Sequence, residues 1–319
     1  MPYPEIVVLF TSFRCNARCI MCSAWRKQVN HQELTVENID SIFSDRILKN
    51  SVRIVNLTGG EPTLRDELAE IVKVLQFRCR KLKNIDISTN GIETTRVIDM
   101  VEKILAILLP TNTRLTVSVS IDGLDQVHDS VRGIPEAFQK IDKTINELKE
   151  LMRLYPAFSV GLNTTVNKIN YENLELITKY AAGKSLGVQF TLGALSEIGV
   201  ESLPVQDAFT LDEPQKKIVA NFINKLLKKQ QIHPDYACFL LDWLKTGIRK
   251  GKCAFRKGLS LLCEPDGAVY QCGNYKDFKL GNILEKPYSQ LIRARFSHWP
   301  AKYKSKCASC NSNCYFKTA

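Results

Sequence analysis

The chain has 319 residues and 45% hydrophobic content, enough for a large core as one α/β barrel or as a domain with a smaller appendage. It has no run of about 18 apolar residues, and Met1-Pro2-Tyr3-Pro4-Glu5 lacks the basic and apolar segments of a secretory signal, so a cytoplasmic protein without a transmembrane helix is expected. The formal charge of +11 comes from basic residues spread along the chain without basic–aromatic interleaving, which points to a solvated lysine-rich surface and away from a nucleic-acid face.

Ile6-Val7-Val8-Leu9-Phe10 is a continuous apolar run suited to a strand buried on both faces. The spacing of Val36, Ile39, Ile42, Phe43 and Ile47 predicts a helix over 35–48 with Thr35 as its cap. Residues 52–57 read as a second strand and 64–76 as a helix. The alternation continues with strand 84–88, helix 94–108, strand 114–121, helix 134–154, strand 158–166, helix 171–182 and strand 188–192. Six strands joined by helices imply parallel pairing, and six are too few to close an eight-stranded barrel. An α/β fold with an open partial (β/α)6 barrel is expected over 1–192. Residues 193–205 read as a loop, and helices over 212–230 and 236–245 make a helical bridge spanning 193–250. Residues 251–319 form a small cysteine-rich domain, in which Pro265-Asp266-Gly267 is the turn of a hairpin.

The chain has eleven cysteines, and their clustering at 15, 19 and 22 and at 307, 310 and 314 favours metal ligation over disulfides. Cys15, Cys19 and Cys22 follow the first strand directly, with spacing C-x3-C-x2-C. Thiolates are the soft ligands that iron–sulfur clusters need, and close spacing lets one loop wrap a cubane. Three ligands leave one iron of a four-iron cluster open. Parallel α/β sheets put their sites at the carboxyl ends of strands. Those ends read Thr58-Gly59-Gly60-Glu61-Pro62, Ser88-Thr89-Asn90-Gly91, Ser118-Val119-Ser120-Ile121-Asp122-Gly123 and Asn163-Thr164-Thr165, mostly small or polar.

The cysteine triplet, followed by Gly-Gly-Glu-Pro after the second strand, resembles the core of the radical S-adenosylmethionine (radical SAM) enzymes over residues 5–192. The resemblance implies a 4Fe–4S cluster on Cys15, Cys19 and Cys22, with S-adenosylmethionine on its open iron. Reductive cleavage would then yield a 5′-deoxyadenosyl radical that abstracts a hydrogen atom from substrate. The same resemblance implies contacts to S-adenosylmethionine from the backbone of Gly59 and Gly60, from Glu61 beside its ammonium group, and from Ser88 and Asn90. Ser118 or Ser120, with Asn163, would meet the ribose or carboxylate, and the guanidinium fork of Arg132 suits the carboxylate. Met21 stands where the family often has an aromatic residue against adenine.

Cys253 and Cys272, in the pattern C-x13-G-x4-C, together with Cys307, Cys310 and Cys314 resemble the auxiliary-cluster region called SPASM or, in its shorter form, twitch. Five cysteines imply one second 4Fe–4S auxiliary cluster, with zinc as the rival metal. Cys263 reads as a buried apolar cysteine, while Cys79 and Cys238 are isolated. Cys238, in the helical bridge, is the candidate hydrogen-atom donor should the outcome be an epimerisation. An auxiliary cluster implies a net two-electron oxidation, hence an oxidoreductase, fed by a reductant such as flavodoxin or ferredoxin. Peptide-maturing relatives often carry an N-terminal recognition domain, and this chain starts almost at its first barrel strand. A small molecule (a sugar, an aminocyclitol or a nucleoside) is therefore expected as substrate before a peptide to be cross-linked or epimerised. A non-catalytic iron–sulfur or zinc protein is the reading from outside enzymology.

Overall fold

A computed structural model of the chain describes residues 3–22, 24–26, 33–193, 211–251, 253–294 and 304–312. Six strands, β1 (Ile6–Ser12), β2 (Ile54–Gly59), β3 (Asn84–Thr89), β4 (Arg114–Ser120), β5 (Phe158–Val166) and β6 (Val188–Leu192), each pair in parallel with the next. Between them lie α1 (Val36–Ser44), α2 (Leu48–Ser51), α3 (Leu68–Arg78), α4 (Thr94–Leu108), α5 (Asp125–Arg132), α6 (Ala137–Leu154) and α7 (Leu174–Gly183). Two helices follow, α8 (Glu213–Lys228) and α9 (Pro234–Thr246). The loop expected over 193–205 lies, beyond Gly193, outside the described residues.

The expected hairpin forms from β7 (Ser260–Cys263) and β8 (Ala268–Tyr270), with β9 (Lys279–Asn282) beside it. It does not stand apart from the barrel. β7 lies parallel to β1, Ile6 opposite Ser260, so one open sheet of nine strands runs β6-β5-β4-β3-β2-β1-β7-β8-β9. Among the described residues no helix is long and apolar enough to cross a membrane.

Side chains of successive strand residues point to opposite faces, and in β2 to β5 the two faces differ in chemistry. Val55, Leu57, Ile85, Ile87, Leu115 and Val117 are buried in the main hydrophobic core with residues of the helices. Each such side chain contributes about 1.5–3 kcal/mol. The alternate positions are Asn56, Asp86, Thr116, Ser118, Ser159 and Asn163, all half-buried. Stability therefore resides in the aliphatic layer, and the other face is free to be polar. β1 departs from the expectation of two buried faces. Val7 and Leu9 are 1% and 2% exposed, whereas Val8 and Phe10 are half-buried against Phe255, Leu262 and Tyr270 from the C-terminal region.

Thr35 caps α1 in a reciprocal box, accepting from the Asn38 amide at 3.2 Å while Asn38 Oδ1 accepts from the Thr35 amide at 3.0 Å. The helix expected to reach residue 48 breaks at Asp45. Its Oδ1 accepts from the Ile47 amide at 2.8 Å and starts α2, and its Oδ2 accepts from the Ser289 amide at 2.9 Å. One buried carboxylate thus ties the first helices to the C-terminal region. Asp45→Ala leaves these amides without their acceptor and is expected to cost about 2 kcal/mol, measured by urea unfolding. An unchanged midpoint would remove Asp45 from the supports of the fold.

Candidate active site and a second cysteine cavity

Cys15, Cys19 and Cys22 line a cavity of about 400 Å³ at the carboxyl ends of the parallel strands, together with Gly59, Gly60, Ser88, Asn90, Ser120 and Arg132. Two segments clamp the cysteine loop. On one side the Gly60 amide donates to the Ser12 carbonyl and the Glu61 amide to the Arg14 carbonyl, both at 2.8 Å. On the other, the Arg18 amide donates to the Arg132 carbonyl at 2.9 Å and the Ile20 amide to the Val131 carbonyl at 3.0 Å. The clamp explains the two glycines more directly than a ligand does. A Cβ on Gly60 would lie 2.1 Å from the Arg14 carbonyl oxygen, and one on Gly59, which has φ +123°, would lie 2.3 Å from that of Ser12.

Each thiol of the triplet has its own N–H donor. Asn90 Nδ2 lies 3.8 Å from Cys15 Sγ, Arg132 Nη1 lies 3.6 Å from Cys19 Sγ, and the Ala24 amide lies 3.4 Å from Cys22 Sγ. Burial pushes the Cys15 thiol up to about 11 and raises Cys22 as well. Burial thus favours the protonated form of Cys15 and Cys22, and loading a metal requires release of the proton.

Glu61 departs from its expected place beside a ligand ammonium. It is 1% exposed and does not line the cavity. Its Oε1 accepts from the Thr63 amide at 3.1 Å, the Thr63 hydroxyl at 2.7 Å and the Thr89 hydroxyl at 2.8 Å, and its Oε2 accepts from the Asn90 amide at 2.7 Å. Burial still raises its pKa. The carboxylate is a brace: it fixes Asn90, and Asn90 reaches Cys15 and the Asn16 side chain.

Arg132 is buried, with Nη2 2.6 Å from Asp122 Oδ2. Burial opposes its charge, but Asp122 and the Cys19 sulfur outweigh that and keep the guanidinium protonated. The Asp122 amide donates to His128 Nδ1 at 3.1 Å, and burial, helped by Arg132, pushes His128 down to about 2, which leaves the ring neutral. Ser88 and Ser120 face the cavity, whereas Ser118 and Asn163 do not line it. Ser118 sits one layer deeper on β4, opposite Gly161, and Asn163 pairs with Ser120 in register. Asn163 Oδ1 is buried without a hydrogen-bond partner among the described residues. Sequence reasoning missed Thr191, Leu192 and Ser312 on the cavity wall. The first two end β6, so their position could have found them; nothing local marks Ser312. Cys238 is exposed while Tyr236, Ala237, Phe239 and Leu240 of α9 are buried. It does not line this cavity.

A second cavity, of about 310 Å³, is lined by Cys253, Cys272, Cys307 and Cys310 with Arg249 and Arg256. Cys314 lies outside the described residues. Three of these thiols also receive N–H groups: Cys253 from the Arg256 amide at 3.5 Å, Cys272 from the Asn274 amide at 3.4 Å, and Cys310 from Asn274 Nδ2 at 3.5 Å and Arg249 Nη1 at 3.7 Å. Burial raises Cys253 and Cys307, and brings Cys272 to about 12. Among the described residues no three metal-binding side chains meet closely enough to hold one ion. Three thiols line the first cavity and four the second, and thiolates are the ligands of iron–sulfur clusters. Cys263 and Cys79 are buried and line neither cavity.

The sequence model of the Radical SAM superfamily matches residues 9–181, more than half of the chain. The chain belongs to the radical SAM superfamily. An AdoMet-dependent heme synthase of Methanosarcina barkeri is 29% identical, over 96% of this chain and 88% of that protein. A probable GTP 3′,8-cyclase of Saccharolobus islandicus is 28% identical, over 88% of this chain and 86% of that one. Streptococcus suis SuiB bound to S-adenosylmethionine shares the fold with a TM-score of 0.66 at 14% identity, covering 97% of this chain and 71% of that one. As a radical SAM protein the chain binds S-adenosylmethionine and a 4Fe–4S cluster. Three soft thiols, each with an N–H donor, beside an open cavity fit that pair.

Proposed function

We propose that this radical SAM enzyme carries out a net two-electron oxidation of a small hydroxylated molecule, with Cys15, Cys19 and Cys22 holding the catalytic cluster. When bound, the cluster and S-adenosylmethionine supply a 5′-deoxyadenosyl radical able to take hydrogen from an unactivated C–H bond. The observation that carries the reading is the pair of cysteine-lined cavities, the second of which would hold an auxiliary 4Fe–4S cluster as acceptor of the second electron. Cys253, Cys272, Cys307 and Cys310 are its proposed ligands, with Cys314 in reserve. The chain's own groups do the positioning: Arg132 presents a cation to the S-adenosylmethionine carboxylate, Gly59 and Gly60 keep the cysteine loop tight, and Glu61 steadies Asn90. Ser88 and Ser120 offer hydroxyls on the cavity wall to the ribose.

Two features support a small substrate. The cavity wall, with Thr58, Thr89, Thr165 and Thr191, can hydrogen-bond a sugar, aminocyclitol or nucleoside. The two sequence relatives are named for haem and for GTP, neither of them a peptide. The net charge of +11 suits an acidic electron carrier such as flavodoxin or ferredoxin.

Anaerobically reconstituted protein, given S-adenosylmethionine and dithionite, is expected to release 5′-deoxyadenosine, and Cys15→Ala to reduce this to background. Panels of C-deuterated nucleosides, sugars and aminocyclitols should then transfer deuterium into 5′-deoxyadenosine. Transfer from peptides alone would reverse the substrate class, and no 5′-deoxyadenosine from iron-loaded protein would end the enzymatic reading.

A further inference from the structure

The Arg132 guanidinium is held between two partners of opposite kind to itself. Nη2 lies 2.6 Å from Asp122 Oδ2 and Nη1 lies 3.6 Å from Cys19 Sγ. Asp122 is 0% exposed, and its other carboxylate oxygen accepts from the Thr165 amide at 2.8 Å, so the end of β5 pins it. Arg132 is pinned as well, because the backbone at the end of α5 is hydrogen-bonded to the cysteine loop at Arg18 and Ile20. The order of contact is sulfur, guanidinium, carboxylate, with neither charge free to leave.

We propose that Asp122 and Arg132 form a fixed charge pair that sets the reduction potential of the cluster on Cys15, Cys19 and Cys22, its positive end on the Cys19 sulfur. The proposal rests on the reading of Cys19 as a cluster ligand. Reduction adds one electron, taken from dithionite in the test, and neither forms nor breaks a bond. The added negative charge spreads onto the thiolate sulfurs, so a cationic N–H donor on one of them favours the reduced form. The carboxylate, one contact further away, opposes it, and a dry interior keeps both effects strong. Arg132 acts on the sulfur directly; Asp122 is a positioning residue that holds Arg132 and moderates its charge.

The two single variants should therefore shift the potential in opposite directions. For Arg132→Gln the expected change is a tenfold less favourable one-electron reduction, a potential lower by about 59 mV. Asp122→Asn, of the same size, should raise the potential by a smaller amount. The test is an EPR-monitored redox titration of the reconstituted full chain without S-adenosylmethionine. Its later addition identifies the cluster by the signal that changes. Iron content and thermal midpoints show whether each variant is folded and loaded. Losing one partner of a buried pair can unfold a protein where losing both does not. The double variant Asp122→Asn/Arg132→Gln is therefore included, and its potential is expected between those of wild type and Arg132→Gln. Shifts of the same sign in the single variants, or no shift at full iron content, would overturn the charge pair. A wild type without any S-adenosylmethionine-responsive signal would overturn the cluster assignment on which it rests.

Discussion

Gly60→Ala is expected to strip the cluster from Cys15, Cys19 and Cys22 and to destabilise the protein by about 3 kcal/mol, the upper end of ordinary overpacking. The added methyl would meet backbone: the Arg14 carbonyl oxygen at 2.1 Å, its carbon at 2.7 Å and the Phe13 carbonyl carbon at 2.8 Å. A side chain could rotate aside, but a carbonyl in the cysteine loop can move only if the loop does. The same loop is stitched to this segment through the Gly60 and Glu61 amides. Relief of the contact would therefore break those bonds and spread the three thiols. Gly161→Ala is the control, because a Cβ there meets nothing within 4 Å. Iron content after reconstitution, with urea unfolding of the metal-free protein, reads both effects. Gly60→Ala protein with full iron at the first site would show that the glycine is not what holds the loop.

Much of this fold could be read from hydrophobic periodicity. The strands Phe158–Val166 and Val188–Leu192 and the helix Thr94–Leu108 have the expected limits, because apolar period and boundary residues agree there. Helix α5 was not legible. Its segment, Asp125-Gln126-Val127-His128-Asp129-Ser130-Val131-Arg132, is too polar to show an apolar stripe, and it is held by Gly133 in a left-handed cap and by the cysteine loop. The helix expected from residue 134 begins instead at Ala137, after Glu136 with φ 59°. The pairing of β7 with β1 could not have been seen, since contact between residues this far apart in the chain leaves no local periodicity.

The candidate site divides in the same way. Spacing alone brought out the cysteines, and the strand-end rule marked Ser88, Asn90 and Ser120 as cavity residues. The rule does not separate a side chain that faces a ligand from one that braces its neighbour, as Glu61 braces Asn90. The exposure of Cys238 is legible in the sequence: Tyr236, Ala237, Leu240 and Leu244 form the buried stripe of its helix, and Cys238 lies off that stripe. The link between the two cavities is purely tertiary. Cys310 lines the second while Ser312 lines the first, and Asn311 between them donates to the Gly193 carbonyl at 2.6 Å.

That link makes the second large effect one of coupling. Cys253→Ala/Cys272→Ala is expected to lower iron from about eight to about four per chain while reductive cleavage of S-adenosylmethionine continues. The double change removes two of the four described thiols of the second cavity, which come from either side of the β7–β8 hairpin. It leaves the clamp around Cys15, Cys19 and Cys22 intact, since that clamp uses only residues 12–20, 60–61 and 131–132. The variant should form 5′-deoxyadenosine without oxidised product, because the second electron has lost its acceptor. Zinc analysis on the same samples separates the rival metal. A wild type with about four irons and one zinc per chain would make the second cavity a structural zinc site. A double variant that still yields oxidised product would mean that the second electron leaves by another route.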